Sequence, residues 1–268
     1  MREKNMRVFN TVNTDDLNSA EAVMHYWDCE LIRKLYFLPK HVTEEQKNSF
    51  LNSASYAAVT GQLKHMMETI SPEKECLDMI YAFEKDTGYV SGDAQLYLIL
   101  GCGTTTIYTA EYEGKEVSVL CMESLQGSID RLKLLLAHEY THLVRRAELK
   151  KDIFEECIGE RLAAEGIAEN YSREQVPGRA DSEYCIVHAD TVRWVKENLS
   201  WLEGMTDMHL EDASLMKDLF YMFADIDYRV RSGYVYGYLA VKHYLERNHM
   251  QVRDILVTDW HEIFRQKA

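Results

Sequence analysis

The chain has 268 residues, of which 46% are hydrophobic and 28% are charged, and its formal net charge is −14. This length can bury a sizeable core as one large domain or two closely packed lobes. The negative net charge argues against nucleic acid and membrane partners. No apolar run follows a basic start, and none reaches about 18 residues, so neither a signal peptide nor a membrane span is expected. The six cysteines form no C-x-x-C pair, and we expect reduced thiols and a cytoplasmic location.

Helical periodicity dominates the N-terminal third of the chain. Helices are predicted at about 15–38, 43–69 and 72–86. Thr43 and Gln46 have the spacing of a capping box, which marks the start of the second helix. The apolar stripes of these helices are expected to pack in a core. We therefore predict a helical N-terminal subdomain over residues 1–90.

The pattern changes to short strands in the middle of the chain. Three apolar and β-branched runs, separated by turns that contain glycine, occupy residues 95–100, 104–110 and 117–122. After Leu149 the pattern is helical to the end of the chain. A small sheet is therefore expected immediately before a long helical region.

The segment His138-Glu139-Tyr140-Thr141-His142 has the pattern H-E-x-x-H in a stretch without proline or glycine. Residues four apart lie on one face of a helix, so both imidazoles can reach one Zn²⁺ ion, which takes histidine nitrogens at about 2.0–2.1 Å. Glu139 would then lie close enough to a zinc-bound water to accept its proton. The alternative is an ordinary amphipathic helix with two histidines facing solvent.

A third ligand is predicted on the next helix, which we expect to begin with an Asp152–Glu155 cap and to end near Tyr171. Glu165 is the favoured ligand because small residues surround it and would let two helices approach closely. Those residues are Ala163, Ala164, Gly166 and Ala168. Glu160 is the rival for this role. Glu169, one helical turn further on, is a candidate hydrogen-bond partner for His138 or His142.

Three stretches carry a resemblance to known families. They are HEYTHLV (138–144), AAEGIAENY (163–171) and SGYVYGYLAVKHYLE (232–246). The segment H-E-Y-T-H is followed after 22 residues by Glu165. In this spacing the chain resembles the gluzincin metallopeptidases. More narrowly, it resembles the predicted zinc-dependent proteases of the bacterial YjaZ type over roughly residues 90–250.

The resemblance implies that His138, His142 and Glu165 bind zinc and that Glu139 is the general base. It also implies an α+β, mostly helical fold, in which a small sheet precedes the H-E-x-x-H helix of a zincin, or thermolysin-like, catalytic core. We predict this catalytic domain, with a helical C-terminal lobe, over residues 91–268. In such folds the edge strand beside the active-site helix pairs with extended substrate, and 117–123 is the candidate strand.

Hydrolysis of an amide also needs a donor for the negative charge that develops on the carbonyl oxygen. A helix that starts at Ser232 or Gly233 would place free N–H groups and a tyrosine hydroxyl in its first turn. Tyr234 is our candidate for this donor, with Tyr238 next on the same face. His188 and His209 are weaker alternatives.

The sequence thus predicts a zinc-dependent metallopeptidase that acts on a peptide or protein substrate. One alternative is a non-catalytic binding or regulatory protein that keeps a structural metal site, for which a fourth protein ligand such as His188 would be expected. Another alternative is a zinc hydrolase of non-peptide amides. The sequence leaves the choice between endo- and exo-cleavage and the oligomeric state open.

Overall fold

The computed structural model describes residues 6–36, 43–103, 105–151, 153–154, 156–221 and 230–264. Two compact units can be distinguished by their internal contacts. The first comprises Met1–Ala82 and Val90–Leu136, and the second comprises Phe83–Tyr89 and Ala137–Ala268. The predicted division at residue 90 stays a prediction, and the compact units group the strands with the N-terminal helices.

The first unit contains a four-stranded mixed sheet. Its strands are β1 (Arg7–Asn10), β2 (Gln95–Ile99), β3 (Ile107–Tyr112) and β4 (Lys115–Cys121), in the order β1-β2-β4-β3. β2 is parallel to both β1 and β4, whereas β3 and β4 form an antiparallel hairpin. Every residue of β2 is buried, as expected for an apolar central strand.

The turn between β3 and β4 consists of Glu113 and Gly114, both with positive φ (52° and 70°). Positive φ at both central residues is the requirement of the hairpin turn whose twist matches that of the strands, and glycine meets it at least steric cost.

The three predicted strands lie close to β2, β3 and β4. The prediction that 117–123 forms a substrate-binding edge was wrong, because β4 pairs with a strand on each side.

A buried carboxylate follows the sheet in the 3-10 helix Met122–Leu125. Glu123 accepts hydrogen bonds from the backbone N–H groups of Gly101 (2.8 Å) and Gly103 (3.0 Å). A Cβ atom on Gly101 would clash with this carboxylate, at 2.4 Å from one of its oxygens. Burial raises the pKa of Glu123 to about 7, although the two N–H donors act in the opposite direction.

Among the described residues, five helices occupy the N-terminal region. They are α1 (Ala20–Asp28), α2 (Glu30–Leu35), α3 (Glu44–Leu51), α4 (Ala54–Thr69) and α5 (Pro72–Thr87). The predicted helices 15–38 and 43–69 are each divided, whereas 72–86 agrees to within one residue. The predicted capping box at Thr43 and Gln46 is present at the start of α3. The predicted helix 43–69 is interrupted at Asn52, and Ser53 starts α4 by accepting a hydrogen bond from Tyr56.

Two long helices follow the sheet. They are α6 (Ile129–Leu149), which carries the H-E-x-x-H segment, and α7 (Ile158–Gln175), which carries Glu165. Cys157 is the N-cap of α7, so this helix begins several residues later than predicted. Asp152 and Glu155, which were expected to cap it, lie outside the described residues.

The remaining helices belong to the second unit. They are α8 (Asp181–Tyr184), α9 (Ala189–Glu197), α10 (Leu199–Asp207), α11 (Met216–Phe220), α12 (Ser232–Asn248) and α13 (Trp260–Phe264). The structure is mostly helical with one small sheet, which confirms the α+β, mostly helical class. None of the described helices is both long and apolar enough to cross a membrane.

The backbones of α7 and α12 are in direct contact at two glycines. A Cβ atom on Gly166 would lie 2.3 Å from the carbonyl oxygen of Gly237, and one on Gly237 would lie 2.6 Å from that of Leu162. Small residues around Glu165 therefore do permit a close helix approach. The partner in this close approach is α12 and not the histidine helix, so the prediction of the histidine helix as partner was wrong.

An aromatic cluster places α7 against α6. Tyr140, inside the H-E-x-x-H segment, packs its ring 5.6 Å from that of Phe83 and 6.0 Å from that of Tyr171 on α7. The hydroxyl of Tyr140 also donates a hydrogen bond to the carbonyl oxygen of Tyr89 (2.8 Å). These contacts fix the rotation of α6 about its axis and thereby the direction in which its histidines point.

Candidate metal centre

The two histidines of α6 face each other, as the four-residue spacing predicts. The ring centroids of His138 and His142 are 4.7 Å apart with an interplanar angle of 84°, and their Nε2 atoms are 3.0 Å apart. Both residues are buried, with 7% and 3% exposure. The alternative interpretation of two solvent-facing histidines is therefore wrong.

Glu165 of α7 completes a group of three. Its Oε2 atom lies 3.3 Å from the Nε2 atom of His138 and 3.3 Å from that of His142. Among the described residues, these three form the one group of histidine, cysteine and acidic side chains whose donor atoms converge closely enough to hold a metal ion. The structure thus brings together all three residues that the sequence predicts as ligands.

The donor set fits zinc on two grounds. Ligand atoms at about 2.0–2.1 Å from a tetrahedral ion lie about 3.3 Å apart, close to the separations found here. Moreover, two imidazole nitrogens and a carboxylate oxygen that point at one another repel through their lone pairs unless a cation or protons lie between them. Within the described part of the chain, the Nδ1 atoms of His138 and His142 have no hydrogen-bond partner.

The protonation states of two donors suit a metal. Burial favours the neutral form of His142 and lowers its pKa, although the charge of Glu165 opposes this effect. Burial alone would raise the pKa of Glu165, but the charge of Arg161 and the two neighbouring imidazoles hold it well below its usual range. A neutral imidazole and an ionised carboxylate are the forms that bind metal ions.

Glu160, the rival for the third position, has a structural role instead. Its carboxylate forms a fully buried ion pair with Arg145 (2.5 Å) and a second with Lys151 (2.8 Å). Arg145 also donates hydrogen bonds to the carbonyl oxygens of Leu256 (2.9 Å) and Thr258 (3.2 Å). Glu160 therefore links α7 to α6 and to the C-terminal segment and is not part of the metal-binding group.

Glu139 is buried beside the two histidines, with 5% exposure. The Nη2 atom of Arg146 lies 3.5 Å from its Oε1 atom. The guanidinium of Arg146 in turn lies over the ring of Phe154 (5.5 Å), and this ring packs 4.9 Å from that of His142. These contacts hold the Glu139 carboxylate beside the histidines, where a proton acceptor for an attacking water is needed.

The helix predicted to start at Ser232 or Gly233 is present as α12, and Tyr234 lies in its first turn. Arg161 donates a hydrogen bond from Nη2 to the hydroxyl of Tyr234 (3.3 Å). Burial and the nearby charge of Glu165 raise the pKa of Tyr234. The phenol therefore stays protonated at neutral pH, and its own proton is available for donation to a second group.

The other proposed donors have different partners. Tyr238 donates its hydroxyl to Asp181 (3.0 Å). His188 is exposed and accepts a hydrogen bond from the backbone of Asp190 at the start of α9. His209 contacts Asp212 and Ser214. None of the three belongs to the metal-binding group. His188 is therefore not the fourth protein ligand that a structural metal site would need.

Glu169 is buried one turn beyond Glu165, but no hydrogen bond joins it to either imidazole. The predicted pairing with His138 or His142 was therefore wrong. Burial and the charge of Glu165 raise the pKa of Glu169 well above its ordinary value. Burial thus favours the protonated form of this side chain, which lies beside the Cys185 thiol and interacts with it.

Sequence reasoning missed Arg146, Phe154 and Arg161. Arg161 precedes Glu165 by four residues on α7, and its Nε atom lies 2.9 Å from Oε1 of Glu165. This spacing is that of a helical ion pair and was available as a signal. Phe154 carries no comparable pattern, since its position beside His142 depends on the loop between α6 and α7.

Comparison with known proteins agrees with this site. Neither the curated proteins nor the solved structures gave a match. The family described as Predicted Zn-dependent protease (DUF2268) matches residues 105–265, a range that covers more than half of the chain and contains α6, α7 and α12. The histidine pair, the converging carboxylate and this match lead to one conclusion: the chain belongs to that family of predicted zinc-dependent proteases.

Proposed function

We propose that the chain is a zinc-dependent metallopeptidase in which His138, His142 and Glu165 bind the ion. The observation that carries this proposal is the convergence of two Nε2 atoms and one Oε2 atom within 3.0–3.3 Å of each other in a buried site. A structural zinc site takes four protein ligands, whereas a catalytic site takes three and keeps one position open. The three-membered group supports an enzyme over a protein with a structural metal.

When bound, zinc supplies Lewis-acid polarisation of the substrate carbonyl and lowers the pKa of a water to about 7. Glu139 accepts the proton of the attacking water and afterwards passes it to the leaving amine. Arg146, whose Nη2 atom lies 3.5 Å from Oε1 of Glu139, restricts the orientation of this carboxylate. Tyr234 donates its hydroxyl proton in a hydrogen bond to the carbonyl oxygen as negative charge develops there. The family description supports a peptide over other amides as the substrate.

The test of this proposal is the substitution Glu139→Gln in the full chain. The variant keeps the shape of the side chain but cannot accept a proton, so we expect one zinc per chain by metal analysis and a loss of peptide cleavage of at least about 100-fold. Cleavage is measured with a library of fluorogenic peptides at matched zinc. Glu148→Gln, an exposed position on the same helix, is the matched control and should keep full activity.

Two results would contradict the proposal. Full cleavage by Glu139→Gln would remove this residue from the role of general base. A wild-type chain that binds one zinc ion and cleaves no peptide in the library would instead support the non-catalytic alternative.

A further inference from the structure

Arg161 occupies the centre of a contact network between the metal-binding group and α12. Its guanidinium contacts two aromatic rings, 4.6 Å from the centroid of Phe154 and 4.9 Å from that of Phe220. Its Nη1 atom donates to the carbonyl oxygen of Phe154 (3.3 Å). The side chain is 13% exposed. These contacts hold the planar guanidinium in one orientation.

The same guanidinium contacts two residues of the proposed active site. Nε lies 2.9 Å from Oε1 of Glu165, and Nη2 donates to the hydroxyl of Tyr234. Glu165 therefore has its two oxygens committed to different neighbours, since Oε1 faces Arg161 and Oε2 faces the two imidazoles. The charge of Arg161 beside Oε1 opposes rotation of the carboxylate about its last bond, which favours the orientation with Oε2 directed at the metal position.

The contact with Tyr234 has a separate effect. A hydroxyl that accepts a hydrogen bond from a cation becomes a stronger donor through its own proton. It is also restricted in direction, because the accepted bond fixes the oxygen. Arg161 thus couples the position of the carboxylate ligand to the position of the tyrosine donor through one rigid group.

We propose that Arg161 is a positioning residue that orients Glu165 toward the metal and Tyr234 toward the substrate carbonyl. This inference rests on the proposed function. Lysine cannot replace arginine here, because a single ammonium group cannot contact the carboxylate, the tyrosine hydroxyl and the two aromatic faces in the geometry of a planar fork.

Two measurements on the full chain test the inference. The first is zinc affinity by competition with a fluorescent chelator. We expect Arg161→Met to bind zinc at least about tenfold more weakly than the wild type, and Arg161→Lys to recover most of this loss because it keeps a positive charge near Glu165. Arg173→Met is the control, since Arg173 is an arginine on the same helix outside the metal-binding group.

The second measurement is a double-mutant cycle on kcat at saturating zinc, which separates catalysis from metal occupancy. Arg161→Lys and Tyr234→Phe should each lower kcat by about tenfold or more with little change in KM, and the double variant should be no slower than Tyr234→Phe alone. A role confined to folding would lower stability without this non-additive loss. If Arg161→Met fails to fold, as judged by circular dichroism, Arg161→Lys decides the question.

The outcomes separate the two proposals. Zinc affinity and kcat of both Arg161 variants within twofold of the wild type would overturn the positioning role and leave the peptidase intact. Additive losses in the double variant would overturn the coupling to Tyr234. A wild-type chain that binds no zinc would overturn the proposed function itself and this inference with it.

Discussion

Two glutamates of α7, five residues apart, are both buried and both paired with arginine. Glu160 has each carboxylate oxygen beside a cation, from Arg145 and Lys151. Glu165 has a cation at one oxygen only, and its second oxygen faces two imidazole nitrogens. A carboxylate with one oxygen directed at two imidazole nitrogens suits a metal, whereas a carboxylate with a cation at each oxygen already has its charge compensated. Partners, not burial, distinguish the two roles.

Truncation of these glutamates should therefore have different effects. Glu165→Ala removes one of three ligand atoms, and we expect zinc affinity in a chelator competition to fall by at least about tenfold. Glu160→Ala leaves Arg145 as a buried, unpaired charge, and we expect a loss of about 3–5 kcal/mol in the free energy of unfolding with one zinc still bound. Normal zinc stoichiometry and affinity in Glu165→Ala would assign the third ligand to another residue.

Helices α7 and α12 are held together by backbone contact at Gly166 and Gly237. The methyl group of an alanine at Gly166 would overlap the carbonyl group of Gly237, which cannot move without a shift of α12. Since α12 carries Tyr234 in its first turn, the spacing of these two helices also sets the distance between the tyrosine and Glu165.

We expect Gly166→Ala to lower the free energy of unfolding by at least about 1–3 kcal/mol, because overpacking outweighs the helix propensity gained by alanine. Gly204→Ala is the matched control in α10. A Cβ atom there meets no atom within 4 Å, so propensity alone should make this variant equal to or slightly more stable than the wild type. Urea titrations of both variants compare the two effects. Equal stability of the two variants would show that α12 can shift away from the added methyl group without a loss in the free energy of unfolding.

The elements that the sequence predicted well are those with local signals. The H-E-x-x-H helix contains no breaker, and Thr43 and Gln46 mark a helix start by their spacing alone. Strand β1 was missed because it has four residues and pairs with β2, which lies far away in the chain. The edge position assigned to 117–123 failed for the same reason, since strand order depends on long-range pairing.

The candidate site divides in a similar way. His138, His142 and Glu165 could be found because ligand chemistry and helical spacing restrict the choice. The small residues beside Glu165 pointed to the correct carboxylate, although their packing partner is α12. Phe154 could not be found, because its position follows from the path of a loop, whereas the seven-residue spacing of Glu139 and Arg146 on one helix was an available signal.

At the scale of the whole molecule, metal binding and folding of the second unit should be linked. A ligand that binds only the folded state stabilises it by about 4 kcal/mol at 1,000 times its dissociation constant. We expect chelation of zinc to lower the unfolding temperature of the transition that includes this unit by several degrees, on the order of 10 °C. Differential scanning calorimetry with and without chelator measures this shift.

His142→Ala provides the control for that experiment. It removes one of the three donor atoms, so the unfolding temperature of this variant should respond little to chelator. A wild-type chain whose unfolding is unchanged by chelator, while metal analysis finds zinc bound, would contradict the linkage.

Glu123, whose carboxylate accepts hydrogen bonds from the N–H groups of Gly101 and Gly103, should make the stability of the first unit decrease as pH rises. Because the folded-state pKa of Glu123 is about 7 and an unfolded glutamate titrates near 4.5, the folded chain holds the extra proton between these values. The free energy of unfolding should therefore fall by up to about 3 kcal/mol as pH rises from about 4.5 through 7. In Glu123→Gln this part of the decline should vanish, so urea titrations from pH 5 to 8 should give a shallower slope than in the wild type. Parallel slopes would show that the two N–H donors already hold Glu123 ionised, and the fold would then tolerate mildly basic conditions without loss.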